Sequence, residues 1–324
     1  MKVCPRLLAA IATGLSALLL NAVHAQAFPS RPVKIVVPVA TGGTSDVLAR
    51  VLGIKLHDMW GQSVVVDNKP GASSNLGTEA VARSAPDGYT LVLQSNSMVA
   101  NRALGVPASF VFDKDLTPIR MLGQTPMILV AHPSLNIKSI KDLVQLAKKD
   151  PTALSYGSCG NGTPHHLAME TVKQRAGIEI RHVPYKGCSP ALSDVMGGHV
   201  SLAMVSANQV GEPAKAGKVV ALAVSSAKRY APMADLPSFE EQGLKDIDFT
   251  NWFGLFGPAN MPIDVVDKLA KDVGVALKDD AVKASLQVAG VGVFDADGSA
   301  VTRQIKADQT RYDLVVKAAG IKLD

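Results

Sequence analysis

Short β-branched runs alternate along the chain with stretches whose apolar residues recur three and four apart. Lys34-Ile35-Val36-Val37-Pro38-Val39 reads as a strand, and Val47, Leu48, Val51, Leu52 and Leu56 place the next stretch on a helix. Between them lies Thr41-Gly42-Gly43-Thr44-Ser45-Asp46, where Thr44 or Ser45 suits the helix cap and Asp46 its first turn. Val64-Val65-Val66 predicts a second strand, broken by Asn68-Lys69-Pro70-Gly71. A helix is expected over about 75–83 and, after the turn Pro86-Asp87-Gly88, a third strand over 89–93.

The same rhythm runs on. Met127 to Val130 reads as a strand, and Ser139-Ile140-Lys141-Asp142 opens a helix that carries Leu143, Val144 and Leu146. Leu154-Ser155-Tyr156 leads into a glycine-containing loop, 157–164, whose Pro164 suits a first helical turn. Further strands are expected over 178–183, 200–205, 219–224 and 252–258, with helices starting near Asp264 and Ser299. Such alternation predicts an α/β fold with mostly parallel, doubly wound sheets covered by helices, which bind ligands at the carboxyl ends of their strands. Three glycine-containing strand-to-helix loops stand out, 41–46, 157–164 and 185–189. A loop of this kind offers free backbone N–H groups and the positive end of a helix dipole, which together suit an anion. Any one of them reads equally well as a tight turn; three together favour an anion site.

A length of 324 residues suggests about two domains. With 47% hydrophobic and 19% charged residues the chain can bury a core, and 5% aromatics argue against a base-stacking nucleic-acid surface. Residues 1–27 have the layout of a signal peptide: Lys2 and Arg6, an apolar run over 7–20, then the small-residue sites Val23-His24-Ala25 and Ala25-Gln26-Ala27. Without that segment the formal net charge falls from +5 to +3, too small to suggest nucleic-acid binding. An exported, soluble protein is expected.

In order and spacing, a series of fragments resembles the extracytoplasmic solute receptors of tripartite tricarboxylate transporters, the Bug-type receptors. They are Phe28-Pro29-Ser30-Arg31-Pro32-Val33, Gly42-Gly43 with Asp46, Asn68-Lys69-Pro70-Gly71-Ala72, and Ala85-Pro86-Asp87-Gly88-Tyr89-Thr90. Tyr156-Gly157-Ser158, Gly160-Asn161-Gly162, His166-Leu167, Val183-Pro184-Tyr185-Lys186-Gly187, Gly197-Gly198, Ala216-Gly217-Lys218 and Trp252-Phe253-Gly254-Leu255 continue the match. The resemblance implies a two-lobed periplasmic binding protein of the type II, Venus-flytrap kind. One lobe would comprise 28–125 plus 250–324 and the other 126–249, with strands near 125–132 and 250–258 crossing between them. It also implies a monomer that captures a small carboxylate for inner-membrane permease subunits, with no enzymatic activity and no cofactor.

Carried over residue by residue, the resemblance places ligand contacts at Gly42, Gly43 and Thr44, at Ser158, Gly160, Asn161, Gly162 and Thr163, and at Tyr185, Lys186 and Gly187. Thr41 heads the first of these loops, Ser95 and Asn96 follow the third strand, and Ser206 and Asn208 follow a later one; all five join the candidate set. The family often has a Phe-Asp-Asn-type stretch where this chain reads Met204-Val205-Ser206, so a carboxylate able to meet an ammonium group is missing. A non-amino dicarboxylate is therefore expected, with Arg102 or Lys186 as anchor for a second carboxylate. Met204, Val205 and Trp252 would supply apolar walls suited to an aromatic, phthalate-type diacid or to a medium-chain aliphatic one, and a monocarboxylate stays open. Cys159 and Cys188 stand where serine is common, and the resemblance puts their loops close together; a disulfide is open, with two free thiols the preferred reading.

Two other readings bear on the same residues. Cys159 or a serine beside His165 or His166 could make a secreted hydrolase, but no nucleophile-elbow motif surrounds Cys159, and the histidines read better as helix-start packing. The chain could also present its ligand as a sensor subunit. No metal site is expected, because His132, His182 and His199 are scattered. Asp46 is expected to support the helix dipole with Arg50 rather than meet an anion.

Overall fold

The structure, a computed structural model, describes residues 28–322, so the signal peptide expected over 1–27 lies outside the described residues. The chain runs through β1 (Val33–Val37), α1 (Thr44–Trp60), β2 (Val64–Asn68), α2 (Asn75–Ala82), β3 (Thr90–Ser95), α3 (Ser97–Ala103), the single turn α4 (Phe112–Asp115) and the long β4 (Leu116–Ala131). It continues with α5 (Ile140–Lys149), β5 (Ser155–Ser158), α6 (Pro164–Ala176), β6 (Arg181–Pro184), α7 (Cys188–Met196), β7 (Leu202–Ser206), α8 (Gly211–Lys215) and β8 (Val220–Val224). It closes through β9 (Thr250–Pro258), α9 (Ile263–Lys278), α10 (Asp280–Val288), β10 (Gly292–Asp297) and α11 (Gly298–Ala319).

Local chemistry accounts for the ends of these elements. Ser139 Oγ accepts the Asp142 N–H at 3.1 Å and caps α5. Thr163 caps α6 ahead of Pro164, and Gly177 ends that helix in the left-handed conformation. In β1, Val33, Ile35, Val36 and Val37 are buried while Lys34 is exposed, as befits a strand covered on both faces.

β2, β1 and β3 are parallel neighbours, and so are β6, β5 and β7. Between these two groups, β4 and β9 run antiparallel, paired from Leu116↔Pro258 to Pro126↔Thr250. Beyond Pro126, β4 leaves that partner and pairs with β7, from Met127↔Ser206 to Ala131↔Leu202, and with β8 on its other side. The expected parallel strands thus form the outer part of each sheet. The middle strands are antiparallel because β4 carries the chain out of the first sheet and β9 brings it back. β10 adds an antiparallel edge to the first part of β4.

Burial follows the same plan. One apolar cluster runs through both sheets and joins Val92, Leu129, Tyr156, Phe239, Trp252 and Tyr312. Two further clusters lie apart, one built around Ile35, Leu52, Leu93 and Leu269, the other around Ile128, Val195, Val205 and Val224. α11 belongs to the shared cluster and packs on α3, β4 and α6, so the last helix touches elements associated with both sheets.

Candidate ligand-binding site

The carboxyl ends of β1, β2 and β3 bring the 38–44, 69–74 and 95–96 segments to one edge of the first sheet. Thr41, Gly42 and Gly43 are exposed and Thr44 is half-buried. Gly42 has φ +90°, and its N–H donates to Asp46 Oδ2 at 2.9 Å. Gly43 is the N-cap of α1 with an ordinary φ of −74°, and no side chain caps the helix. The first-turn N–H groups of Thr44, Ser45 and Asp46 therefore have no intrahelical acceptor.

Asp46 itself is engaged inside the protein. It is 2% exposed and held by Arg50, whose guanidinium lies 2.9 Å from Oδ1 and also donates to Asn68 Oδ1 at 3.0 Å. Burial pushes its carboxyl pKa up, but the bonds from Arg50, the Gly42 N–H and Asn68 together hold it below the ordinary value.

Asn96 is fully buried at the end of β3. Its Nδ2 donates to Thr250 O at 3.1 Å and to the Tyr312 hydroxyl at 2.9 Å, while its Oδ1 has no hydrogen-bond partner. Ser95 Oγ accepts the Ser97 N–H at 3.4 Å. Arg102 is engaged elsewhere: it pairs with Asp113 at 2.7 Å and lines an apolar cavity of about 260 Å³ with Met98, Val106, Phe110 and Phe112.

In the second sheet, the glycine-rich loop is satisfied from within. Ser158 is fully buried, and its Oγ bonds Gly160 O at 3.0 Å and His182 Nε2 at 2.7 Å and accepts the Gly160 N–H at 3.2 Å. Thr163 Oγ1 donates to Gly160 O at 2.8 Å and accepts the His166 N–H, and the Gly162 N–H donates to His166 Nδ1 at 3.1 Å. Asn161 Nδ2 donates to Lys322 O. The hydroxyls expected to meet ligand directly, those of Ser158 and Thr163, are hydrogen-bonded within the protein and shape the loop.

The third loop docks onto the second. The Tyr185 N–H donates to Ser158 O and the Gly187 N–H to Cys159 O, and a disulfide joins Cys159 to Cys188 with their Cα atoms 4.2 Å apart. The two thiols preferred from the sequence as free are thus bonded, which removes a thiolate nucleophile at Cys159 while the bond holds. Burial, with a 2.6 Å bond from its hydroxyl to Asp194, pushes the Tyr185 pKa up to about 12. Lys186 is exposed, and Gly187, at φ +120°, starts α7 without a side-chain cap.

Both adjacent histidines sit in the first turn of α6 and are buried. Burial lowers the pKa of each to about 4, with Lys173 adding to the effect at His166. His166 stacks on His182 at 3.8 Å between ring centres. His165 Nε2 meets Ser206 Oγ at 3.0 Å and Asn251 Nδ2 at 3.4 Å. Asn208 Nδ2 donates to Ala289 O at 3.0 Å. The sequence does not mark His182, Asn251 or Tyr312 as site residues: the first two lie in strand-like stretches and Tyr312 in a polar helical one, each without a motif of its own. Met204 and Val205 are fully buried and Trp252 is 2% exposed, so the proposed apolar walls belong to the core.

A two-sheet α/β fold joined by crossing strands, with loops gathered at the carboxyl ends of its parallel strands, defines a periplasmic binding protein. The chain belongs to the tripartite tricarboxylate transporter receptor family, whose sequence model matches residues 48–321. It is 33% identical over 303 residues to the protein BugT of Bordetella pertussis, covering 93% of each chain. Among solved structures it resembles an R. palustris protein with adipate (33% identity, TM-score 0.81, 91% of this chain and 99% of the other). It also resembles MatC from Rhodopseudomonas palustris with bound malate (27% identity, TM-score 0.76, 89% of this chain and 100% of the other). Among the described residues no helix is long and apolar enough to cross a membrane.

Proposed function

We infer that this receptor works in the periplasm after export, holds a small non-amino dicarboxylate between lobes 28–125 plus 250–324 and 126–249, and delivers it to permease subunits. One observation carries the reading. Two of the three glycine-containing loops open helices that start at a glycine with no side-chain cap, α1 at Gly43 and α7 at Gly187, whereas α6 is capped by Thr163. Their first-turn N–H groups, at Thr44 to Asp46 and at Cys188 and Ser189, are the donors for the ligand carboxylate.

The ligand class follows from the charges at hand. Asp46, the acid of the first loop, is committed to Arg50 and Gly42 and offers nothing to an ammonium group. Lys186, exposed next to Gly187, is the better anchor for a second carboxylate, because Arg102 is engaged by Asp113. With Met204, Val205 and Trp252 in the core, an aliphatic diacid suits the site better than an aromatic one; the adipate and malate carried by the two R. palustris relatives support that choice.

A thermal-shift panel of adipate, malate, terephthalate, benzoate and glutamate tests the reading, since a ligand bound only by the native state raises the melting temperature. The aliphatic diacids are expected to give the largest shifts, with no hydrolysis of a generic ester. Turnover of the ester without any carboxylate shift would favour the hydrolase reading instead.

A further inference from the structure

We propose that, in its dithiol form, this chain binds one thiophilic d10 cation, zinc(II) or copper(I), between Cys159, Cys188 and His165, a role separate from carboxylate capture. The ligand atoms of these three residues all lie within 4.8 Å of one another. Cys188 Sγ is 3.5 Å from His165 Nε2. A tetrahedral zinc ion with ordinary Zn–S and Zn–N bonds has an S···N edge of about 3.5 Å, so this pair already stands at ligand spacing. Ser206 Oγ lies 3.0 Å from His165 Nε2 and 3.8 Å from Cys188 Sγ, a position for the fourth corner, as hydroxyl or through a bound water.

The fold delivers these groups from four separate elements. Cys159 follows β5, His165 stands in the first turn of α6, Cys188 is the first residue of α7, and Ser206 ends β7. Asn251 Nδ2 can only donate, so its contact assigns the lone pair to His165 Nε2, the nitrogen that also neighbours Cys188 Sγ and Ser206 Oγ. Two thiolates and one imidazole form a soft donor set that selects zinc or copper(I) over magnesium or calcium.

Binding is gated by the disulfide. A dithiol reductant gives two electrons and two protons to the Cys159–Cys188 bond, yielding two thiols and the reductant's own disulfide. The cation then replaces both thiol protons, which pass to solvent, and forms two metal–sulfur bonds and one metal–nitrogen bond.

Cobalt(II) is the probe. Folded protein is reduced with a dithiol, freed of reductant without oxygen and titrated. The reduced wild type should bind one equivalent with a thiolate-to-cobalt charge-transfer band that zinc(II) abolishes, and the oxidised protein should show none. Cys159→Ser and Cys188→Ser should lose the band, and His165→Gln should weaken binding at least tenfold. Alkylation of the reduced wild type provides a check that needs no variant: zinc(II) should slow it at least tenfold. A reduced wild type without the band, unprotected thiols, or a folded His165→Gln variant with unchanged affinity would each overturn the site.

Discussion

Leu104, just beyond α3, packs against Gly162 in the glycine-rich loop of the second sheet, and the missing Cβ of Gly162 is what allows the contact. Gly162 also has φ +70°, a conformation that side chains resist. Gly162→Ala should therefore cost roughly 1–3 kcal/mol, part from the backbone and part from displacing Leu104. Adding Leu104→Ala should restore the steric share only. Urea unfolding of the two single variants and the double variant separates the shares; additive losses would show that the two residues do not meet.

Asp46 gives a pH-dependent prediction. Its folded carboxyl titrates below the ordinary value of 3.8, so its stability contribution is present above that value and is lost as pH falls through the folded pKa. Asp46→Asn should lower stability near neutrality by roughly 1–3 kcal/mol, and the difference should shrink as pH falls below 3.8. Chemical unfolding of both proteins across that range checks the sign.

Asp308 on α11 is 2% exposed and accepts the Trp252 indole N–H at 2.6 Å and an Arg311 N–H at 2.7 Å. Burial raises its pKa, and the bonds from Trp252, Arg311 and Gln304 oppose the rise. Arg311→Met should cost roughly 2–3 kcal/mol, less than a fully buried pair because Arg311 is a quarter exposed. Asp308→Asn in the same chain should recover part of the loss. Thermal unfolding followed by circular dichroism measures both.

Ser158→Ala separates a structural hydroxyl from a ligand contact. Its Oγ serves Gly160 and His182 inside the protein, so the variant should lose about 1–3 kcal/mol of stability even without ligand. Unchanged apo stability with weakened carboxylate binding would return Ser158 to the ligand.

Much of this architecture is legible in residue order. The β-branched runs before Gly42, near Val64 and before Ser95 mark β1, β2 and β3, and Ser139 and Pro164 mark helix starts. β4 is read only from Met127 onward, because Pro118, Gly123 and Pro126 interrupt its first half; pairing with β9 and β10 keeps that half extended. Ile178 and Ile180 look like a strand, yet both are buried ahead of β6, which starts at Arg181: their apolar pattern records packing rather than ladder pairing. α10 escapes notice because its two buried residues, Val282 and Leu286, form too short a stripe, and β10 because none of its residues is buried. In the site, the glycines reveal which loops matter. They do not reveal which polar groups are spent internally, since Ser158 meets His182 only through the tertiary fold.

Calorimetry of wild type and Gly43→Val with adipate, malate and glutamate tests the carboxylate site most directly. Gly43 has ordinary φ, and an added Cβ there would lie 3.6 Å from Ala40 O, so the variant should fold while its side chain covers the α1 N–H groups. The wild type should bind an aliphatic diacid at one site per chain more tightly than glutamate, and Gly43→Val should bind neither. Tightest binding to glutamate, or undiminished diacid binding by a folded Gly43→Val protein, would contradict the account.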